Sequence, residues 1–178
     1  SIRGLHDCRF SHQFDAAGDY LIEVHDNRFS ASGGAYHLRV GDFPIVDHCF
    51  PLAIKRGEKR RVKLISREDD EPVESEVQST DTNDRVIQVA SRRGNGKSSG
   101  WAPLSISHHA QIVETATADV PPLKIPVGIS GRLAQPGEKD SYKIEGKKGR
   151  QLRIASRTRS LRCPTLLEMK LRSPTGAV

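Results

Sequence analysis

Residues 15–29 of the chain read DAAGDYLIEVHDNRF, and residues 33–44 read GGAYHLRVGDFP. Apolar side chains occupy every second position in both stretches: Tyr20, Ile22 and Val24 in the first, and Tyr36, Leu38 and Val40 in the second. A period of two with one apolar face is typical of an antiparallel sheet that is buried on one side. Glycine turns accompany both stretches, so this region is predicted to contain paired strands whose apolar face is directed inward.

The same pattern continues toward the C-terminus. Short apolar runs separated by turn residues predict a second series of strands at 52–54, 61–65, 73–77, 86–90 and 104–106. A third series follows Pro121-Pro122 and covers residues 123–129, 142–144, 152–154 and 167–171, with one helical turn predicted at 161–168. The chain is therefore predicted to be all-β and built of β-sandwiches.

Composition limits the classes of function. The chain has 178 residues, a hydrophobic fraction of 35% and a formal charge of +6, and no apolar run approaches the ~20 residues that a membrane span needs. Aromatic residues make up 5% and are not interleaved with Lys and Arg as base-stacking platforms require. We therefore expect neither membrane insertion nor a nucleic-acid partner. The turn-forming run at 173–176 has no returning strand, so we expect the chain to be part of a longer protein.

The three cysteines, Cys8, Cys49 and Cys163, lie far apart and form no Cys-x-x-Cys motif. This spacing excludes zinc ribbons and thioredoxin-like redox motifs. An odd number allows one internal disulfide at most. A Cys8–Cys49 bridge and free thiols both remain open.

Two stretches of the chain resemble the bacterial pre-peptidase C-terminal domain as it occurs in tandem in large secreted proteins. Residues 15–44 resemble the last strands of one copy, because an Ala-Gly-x-Tyr turn leads into a Leu-x-x-Val strand and a Tyr-x-Leu-x-Val strand follows. Residues 129–178, which begin ISGRLAQPGEKDSYKIEGKKGRQLRI, resemble the first strands of another copy. Residues 50–106 are similar to the immunoglobulin-like insert that separates such copies.

The resemblance implies three units: the C-terminal half of a jelly-roll-like sandwich at 1–44, an immunoglobulin-like sandwich at 45–118, and the N-terminal half of a second jelly-roll-like sandwich at 119–178. It also implies an extracytoplasmic location and a non-catalytic role beside an enzyme or on the cell surface. Each half presents an edge that the other would normally cover. Either the halves pair, in cis or from a second molecule, or two incomplete sheets flank an intact middle unit.

Two acidic stretches contain candidate calcium ligands. Asp81, Asn83 and Asp84 present oxygen atoms at the short spacing that suits Ca²⁺, although such runs also form Asx turns. Glu138 and Asp140 stand where the family has an Asp-x-Asp turn, and residues 114–119 replace its acidic stretch before the first strand. No other cofactor is expected.

Trp101, the sole tryptophan, is a candidate ligand-binding residue, because an exposed indole stacks on sugars or anchors protein contacts. The alternative is a core residue of the middle sandwich. The run Gly96-Lys97-Ser98 lacks the spacing and the following helix of a phosphate-binding loop. Ser, His and Asp are abundant, but abundance alone does not indicate a triad, and we predict no catalysis.

We therefore expect a non-catalytic, secreted β-sandwich segment that acts as a spacer, an attachment unit or a protein-binding module beside a functional domain. Its expected partners are other domains of the same parent protein, and protein or polysaccharide at the cell surface. Two alternatives remain: a calcium-dependent carbohydrate-binding module, and part of a secreted peptidase whose activity belongs to linked domains.

Overall fold

The computed structural model describes residues 9–26, 35–41, 45–66, 72–79, 83–92, 98–115 and 121–173. Eight strands and one 3₁₀ turn lie within these ranges. They are β1 (His48–Phe50), β2 (Ala53–Lys55), β3 (Lys59–Ile65), β4 (Val73–Gln78), β5 (Val86–Arg92), β6 (Ser98–Ser107), β7 (Ala110–Val113), β8 (Val127–Ser130) and the turn Arg159–Leu161. The all-β prediction is confirmed.

Two three-stranded sheets face each other. The order of the strands is β1-β3-β4 in one sheet and β2-β6-β5 in the other. The chain changes sheets between β1 and β2: β1 pairs antiparallel with β3, whereas β2 pairs parallel with β6. A third, two-stranded sheet joins β7 and β8 in parallel.

The core lies between the two larger sheets. Alternation in β3 directs Val62 and Leu64 inward and leaves Lys63 outside. Across the interface, Ile54 and Leu104 have no exposed surface. The complete buried cluster consists of Val46, Cys49, Ile54, Val62, Leu64, Val77, Val89, Ala102, Leu104 and Ile106. The period-two pattern of the middle region therefore predicts which side chains form the core.

The strand predictions for the middle region are confirmed. Each of the five predicted runs overlaps one of β2 to β6. The sequence did not predict β1 or β7, which have three and four residues and are too short to display a periodic pattern. β8 lies beyond the predicted boundary at residue 118 and pairs with β7 on the other side of it. The three-unit division and the immunoglobulin-like character of the sandwich stay predictions.

The strands predicted from the first 44 residues are wrong for the part of this region that the structure describes. Residues 9–26 and 35–41 contain no strand, and Tyr20, Ile22 and Val24 are 52%, 46% and 47% exposed. Alternation decides which side chains share a face, but a strand also needs a neighbour for its backbone groups. In place of strand pairing, this region makes contacts between residues close in sequence: the ring centroids of Phe14 and Tyr20 lie 4.4 Å apart. Residues 42–44, which end the predicted motif, lie outside the described residues.

The third predicted series is only partly formed. β8 corresponds to the end of the first strand predicted for this series, residues 123–129. One isolated bridge joins Leu123 to Ile144. The runs 152–154 and 167–171 form no strand, and their apolar side chains are exposed. The predicted helical turn at 161–168 is shifted, because the observed turn is Arg159–Leu161. The described parts of residues 1–44 and 119–178, the two predicted jelly-roll-like halves, therefore contain few of the strands predicted for them.

Candidate functional site

A pair of carboxyl groups lies at the C-terminal ends of β7 and β8. The two strands run parallel with Val113 opposite Ser130, so the next residues, Glu114 and Gly131, are also neighbours. The Glu114 amide donates to the Ser130 carbonyl at 2.9 Å, and the Arg132 amide donates to Glu114 Oε2 at 2.9 Å. The parallel register thus holds the Glu114 carboxylate over Gly131.

Gly131 makes room for this arrangement. A Cβ atom at this position would lie 2.8 Å from Glu114 Oε2 and 2.9 Å from the Tyr142 hydroxyl. Both distances are shorter than van der Waals contact allows. Only glycine therefore permits the carboxylate and the phenol to approach the backbone here.

Asp140 completes the site. Burial raises the pKa of its carboxyl above the ordinary value of 3.8, and a hydrogen bond with Glu114 and the negative charges of Glu114 and Glu138 raise it further. Burial, followed by the charges of Glu114 and Asp140, raises the pKa of Tyr142 to about 12. Two carboxyl groups in hydrogen-bond contact need a proton or a cation between them. We call Glu114 and Asp140 the carboxyl pair.

Glu138, a predicted calcium ligand, has a different role. Its Oε2 accepts hydrogen bonds from the amides of Ala134 and Gln135, at 2.5 and 2.9 Å, and so fixes the turn before Asp140. Within the described ranges, no group of three or more His, Cys, Asp or Glu side chains could hold a metal ion. The carboxyl pair offers fewer oxygen atoms than the six to eight that Ca²⁺ takes.

The other predicted calcium stretch is located elsewhere. Asp81 lies outside the described residues, and Asn83 and Asp84 form the turn before β5. The backbone carbonyl of Asp84 accepts a hydrogen bond from Arg56 Nη2 at 2.8 Å. The structure therefore brings Asp140 to Glu114, at β7 and β8, and shows no contact between Asp140 and the 83–84 turn among the residues described.

Trp101, the predicted ligand-binding residue, lies on β6 and is 44% exposed. The guanidinium carbon of Arg39 lies 4.9 Å from the centroid of its ring, within the range of a cation–π contact. The backbone carbonyl of Trp101 accepts from Arg162 Nη1 at 2.8 Å. One face of the indole is thus already covered by an arginine from residues 35–41.

A basic groove, which the sequence did not predict, lies beside β1 and β3. Its volume is about 380 Å³, and it is lined by Phe50, Pro51, Arg60, Arg61, Lys63, Ile65, Pro72, Glu74 and Arg132. Four cationic side chains therefore meet one carboxylate above an apolar floor. Arg61 lies 4.0 Å from Glu74, and Arg60 lies 3.4 Å from Glu58. Two of the four cationic charges are therefore compensated, and Lys63 and Arg132 supply the excess. Spacing along the chain gives no signal for this groove, because Arg132 comes from beyond β8.

The two cysteines among the described residues are buried, and Ser98 lies on a strand. Cys49 and Cys163 are buried free thiols. Burial, followed by the charge of Cys163, raises the pKa of Cys49 to about 12, and Arg162 lowers it in part. Residues 96–100 have Gly-x-Ser-x-Gly spacing, but a nucleophile elbow places its serine between a strand and a helix. Ser98 instead begins β6.

Comparison of the chain with protein-family models, curated proteins and solved structures gives no match. Throughout the described ranges, the structure contains no helix with the length and apolar character to cross a membrane.

Proposed function

We propose that this chain is a non-catalytic β-sandwich module that acts as a spacer and attachment unit beside a functional domain of an extracytoplasmic protein. The observation that carries the proposal is the basic groove. It is a concave surface on a rigid sheet, with an apolar floor and a net excess of cationic side chains. Such a surface suits an acidic partner at a cell surface, because the charges attract the partner and the floor supplies contact area.

The arrangement of the other polar groups supports a binding role. The outer faces of β3 and β4 carry opposite charges, and Lys59 Nζ lies 2.7 Å from Glu76 Oε1 in a diagonal ion pair across the two strands. These ion pairs compensate part of the charge on this face, and the groove retains an excess of positive charge from Lys63 and Arg132. The carboxylate of Glu138 fixes a turn, and the Cys49 thiol is buried with a raised pKa. Neither group is positioned to react with a substrate.

The decisive experiment measures retention on a solid support. A reporter enzyme fused to the complete chain is passed over immobilised acidic polysaccharide and over immobilised neutral polysaccharide. We expect salt-sensitive retention on the acidic support only. Arg61→Glu with Lys63→Glu should reduce retention at least about tenfold, because each reversal replaces an attraction by a repulsion.

The matched control is Lys143→Glu with Lys147→Glu, which makes the same change in net charge away from the groove. Equal loss of retention in both double variants would show that total charge, and not the groove, attracts the support. Failure of the wild-type chain to bind the acidic support would refute attachment through this surface.

A second candidate function is calcium-dependent carbohydrate binding, and the carboxyl pair is the observation that favours it. A cation could replace the proton between Glu114 and Asp140, with remaining ligands from water or sugar hydroxyls. Titration with CaCl₂ should then raise the Tm of the wild-type chain and leave the Tm of the Asp140→Asn variant unchanged. An unchanged wild-type Tm would contradict this second function.

A further inference from the structure

Two exposed segments of the chain have complementary sequences. The acidic segment, residues 15–26, carries four carboxylates and no Lys or Arg. The basic segment, residues 142–157, carries six Lys or Arg and one Glu. Their formal charges are therefore −4 and +5. Neither segment belongs to a strand, apart from the single bridge at Ile144.

Both segments also carry apolar side chains at alternate positions. In the acidic segment, Ile22 and Val24 are 46% and 47% exposed; in the basic segment, Leu152 and Ile154 are 38% and 57% exposed. Exposure of such stripes to water is unfavourable in proportion to the apolar area left uncovered. Each segment has the pattern of a strand, and among the residues that the structure describes no strand pairs with 19–26 or with 150–157.

One antiparallel register satisfies both the apolar and the charged positions. When Ile22 lies opposite Ile154, Val24 lies opposite Leu152 on the same face. Three further positions form opposite-charge pairs: Asp19 with Arg157, Glu23 with Arg153, and Asp26 with Arg150. Directly opposed residues in antiparallel strands have Cβ atoms about 5 Å apart, close enough for these pairs to interact. A slip of one residue would place charged side chains opposite apolar ones.

We infer that a second copy of this chain supplies the missing neighbour, so that residues 19–26 of one copy pair with residues 150–157 of the other. In the single chain the two segments form no ladder with each other, and contacts with the sandwich lie ahead of the one and within the other. Arg9 Nη2, ahead of the acidic segment, lies 2.7 Å from Asp47 Oδ1. Arg157 Nη1, in the basic segment, donates to Ser105 Oγ at 3.3 Å.

The pairing is reciprocal in a two-fold dimer. Each copy offers one acidic and one basic segment, so the same contact forms twice about the symmetry axis. One eight-residue ladder is small beside the about 1,600 Å² of a standard interface, and reciprocity doubles the area. This inference deepens the proposed attachment function by naming one partner, but it uses a surface distinct from the basic groove.

Charge reversal tests the pairing. The acid-reversed variant carries Asp19→Lys, Glu23→Lys and Asp26→Lys; the base-reversed variant carries Arg150→Glu, Arg153→Glu and Arg157→Glu. Sedimentation equilibrium under reducing conditions should show a wild-type dimer that weakens as salt increases. Each reversed variant alone should dimerise at least about tenfold more weakly, because three pairs become repulsive in each ladder. An equimolar mixture of the two variants should form a heterodimer, since reversal of both sides restores attraction.

Three results would overturn the inference: a wild-type monomer at all concentrations, a dimer that neither reversal weakens, or a mixture that stays monomeric. Lys143→Glu with Lys147→Glu and Lys148→Glu is the matched control, because it changes the same net charge outside the register and should dimerise like the wild type. Trp101 fluorescence reports whether each variant keeps its fold, and Arg150→Glu with Arg153→Glu spares the Arg157–Ser105 contact. A wild-type monomer that still binds the acidic support would overturn only the dimer and not the proposed function.

Discussion

Arg39 covers one face of the Trp101 indole, with its guanidinium carbon 4.9 Å from the ring centroid. The contact joins residues 35–41 to β6, and it leaves less of the ring available to a ligand. A cation–π contact at a half-exposed site contributes about 0.5–1 kcal/mol. Through this contact, Trp101 packs part of the N-terminal region against the sandwich.

Arg39→Ala should make the indole more accessible to solvent. We expect a larger acrylamide quenching constant for Trp101 and a small loss of stability, about 0.5–1 kcal/mol at most. Arg172→Ala removes another exposed arginine, which has no part in the proposed ladder, and serves as the control. Equal quenching in the wild type and Arg39→Ala would show that the arginine does not shield the ring in solution.

Asp140→Asn should change the dependence of stability on pH. The folded-state pKa of Asp140 is raised, so its contribution to stability is fully present below the unfolded value of 3.8 and is lost as the pH rises through the folded pKa. At neutral pH we expect the Asn variant to be more stable than the wild type, because it removes a negative charge beside Glu114. Near pH 4 the difference should be smaller.

Thermal unfolding between pH 4 and pH 7.5 in the presence of a chelator would measure this effect. Glu145→Gln removes a carboxylate from the same region and should leave the shape of the profile unchanged. A variant that is less stable than the wild type at neutral pH would mean that the charged Asp140 carboxylate is itself stabilising, for instance through a bound cation.

Cys49 should resist alkylation in the folded protein. With a pKa of about 12 rather than 9.0, its thiolate fraction at pH 8 is about a thousandfold below that of an ordinary thiol. Iodoacetamide labelling of a Cys8→Ser variant, read by mass spectrometry, should modify Cys49 only after denaturant is added. Labelling of native Cys49 at the rate of a free cysteine would contradict its place in the core.

Leu104→Ala should lower stability far more than truncation of an exposed apolar side chain does. Leu104 has no exposed surface, whereas Leu166 is 75% exposed. Truncation at Leu104 should lower the free energy of unfolding by about 2–5 kcal/mol, and Leu166→Ala should change it by less than about 0.5 kcal/mol. Urea unfolding would measure both. Comparable losses would show that the C-terminal region packs into a core of its own.

In the middle region, the alternation of apolar and polar residues was sufficient to predict which side chains form the core of the sandwich. Val62 and Leu64 are buried where the pattern of β3 places them. Tyr20, Ile22 and Val24 show the same alternation and remain exposed, because the period of a strand carries no information about whether a neighbouring strand is present. The pattern therefore predicts faces correctly and pairing only where partners exist.

The site was harder to predict than the core. Asp140 was among the predicted ligands, but its actual partner, Glu114, depends on the parallel register of β7 and β8. β7 is four residues long, and no periodic signal shows that it pairs with a strand from beyond residue 118. The basic groove likewise depends on Arg132, which is distant in sequence from Arg61 and Lys63. Contacts between remote segments were beyond the reach of spacing arguments.

The parallel pairing of β2 with β6 has a mechanical consequence. Tension that pulls the start of β2 and the end of β6 in opposite directions would slide these strands along each other rather than peel them apart. The backbone bonds from Ser105 to Leu52 and from Arg56 to Ser107 would then bear the load together. A sandwich built in this way resists such a pull better than one whose outermost strands can be separated one hydrogen bond at a time.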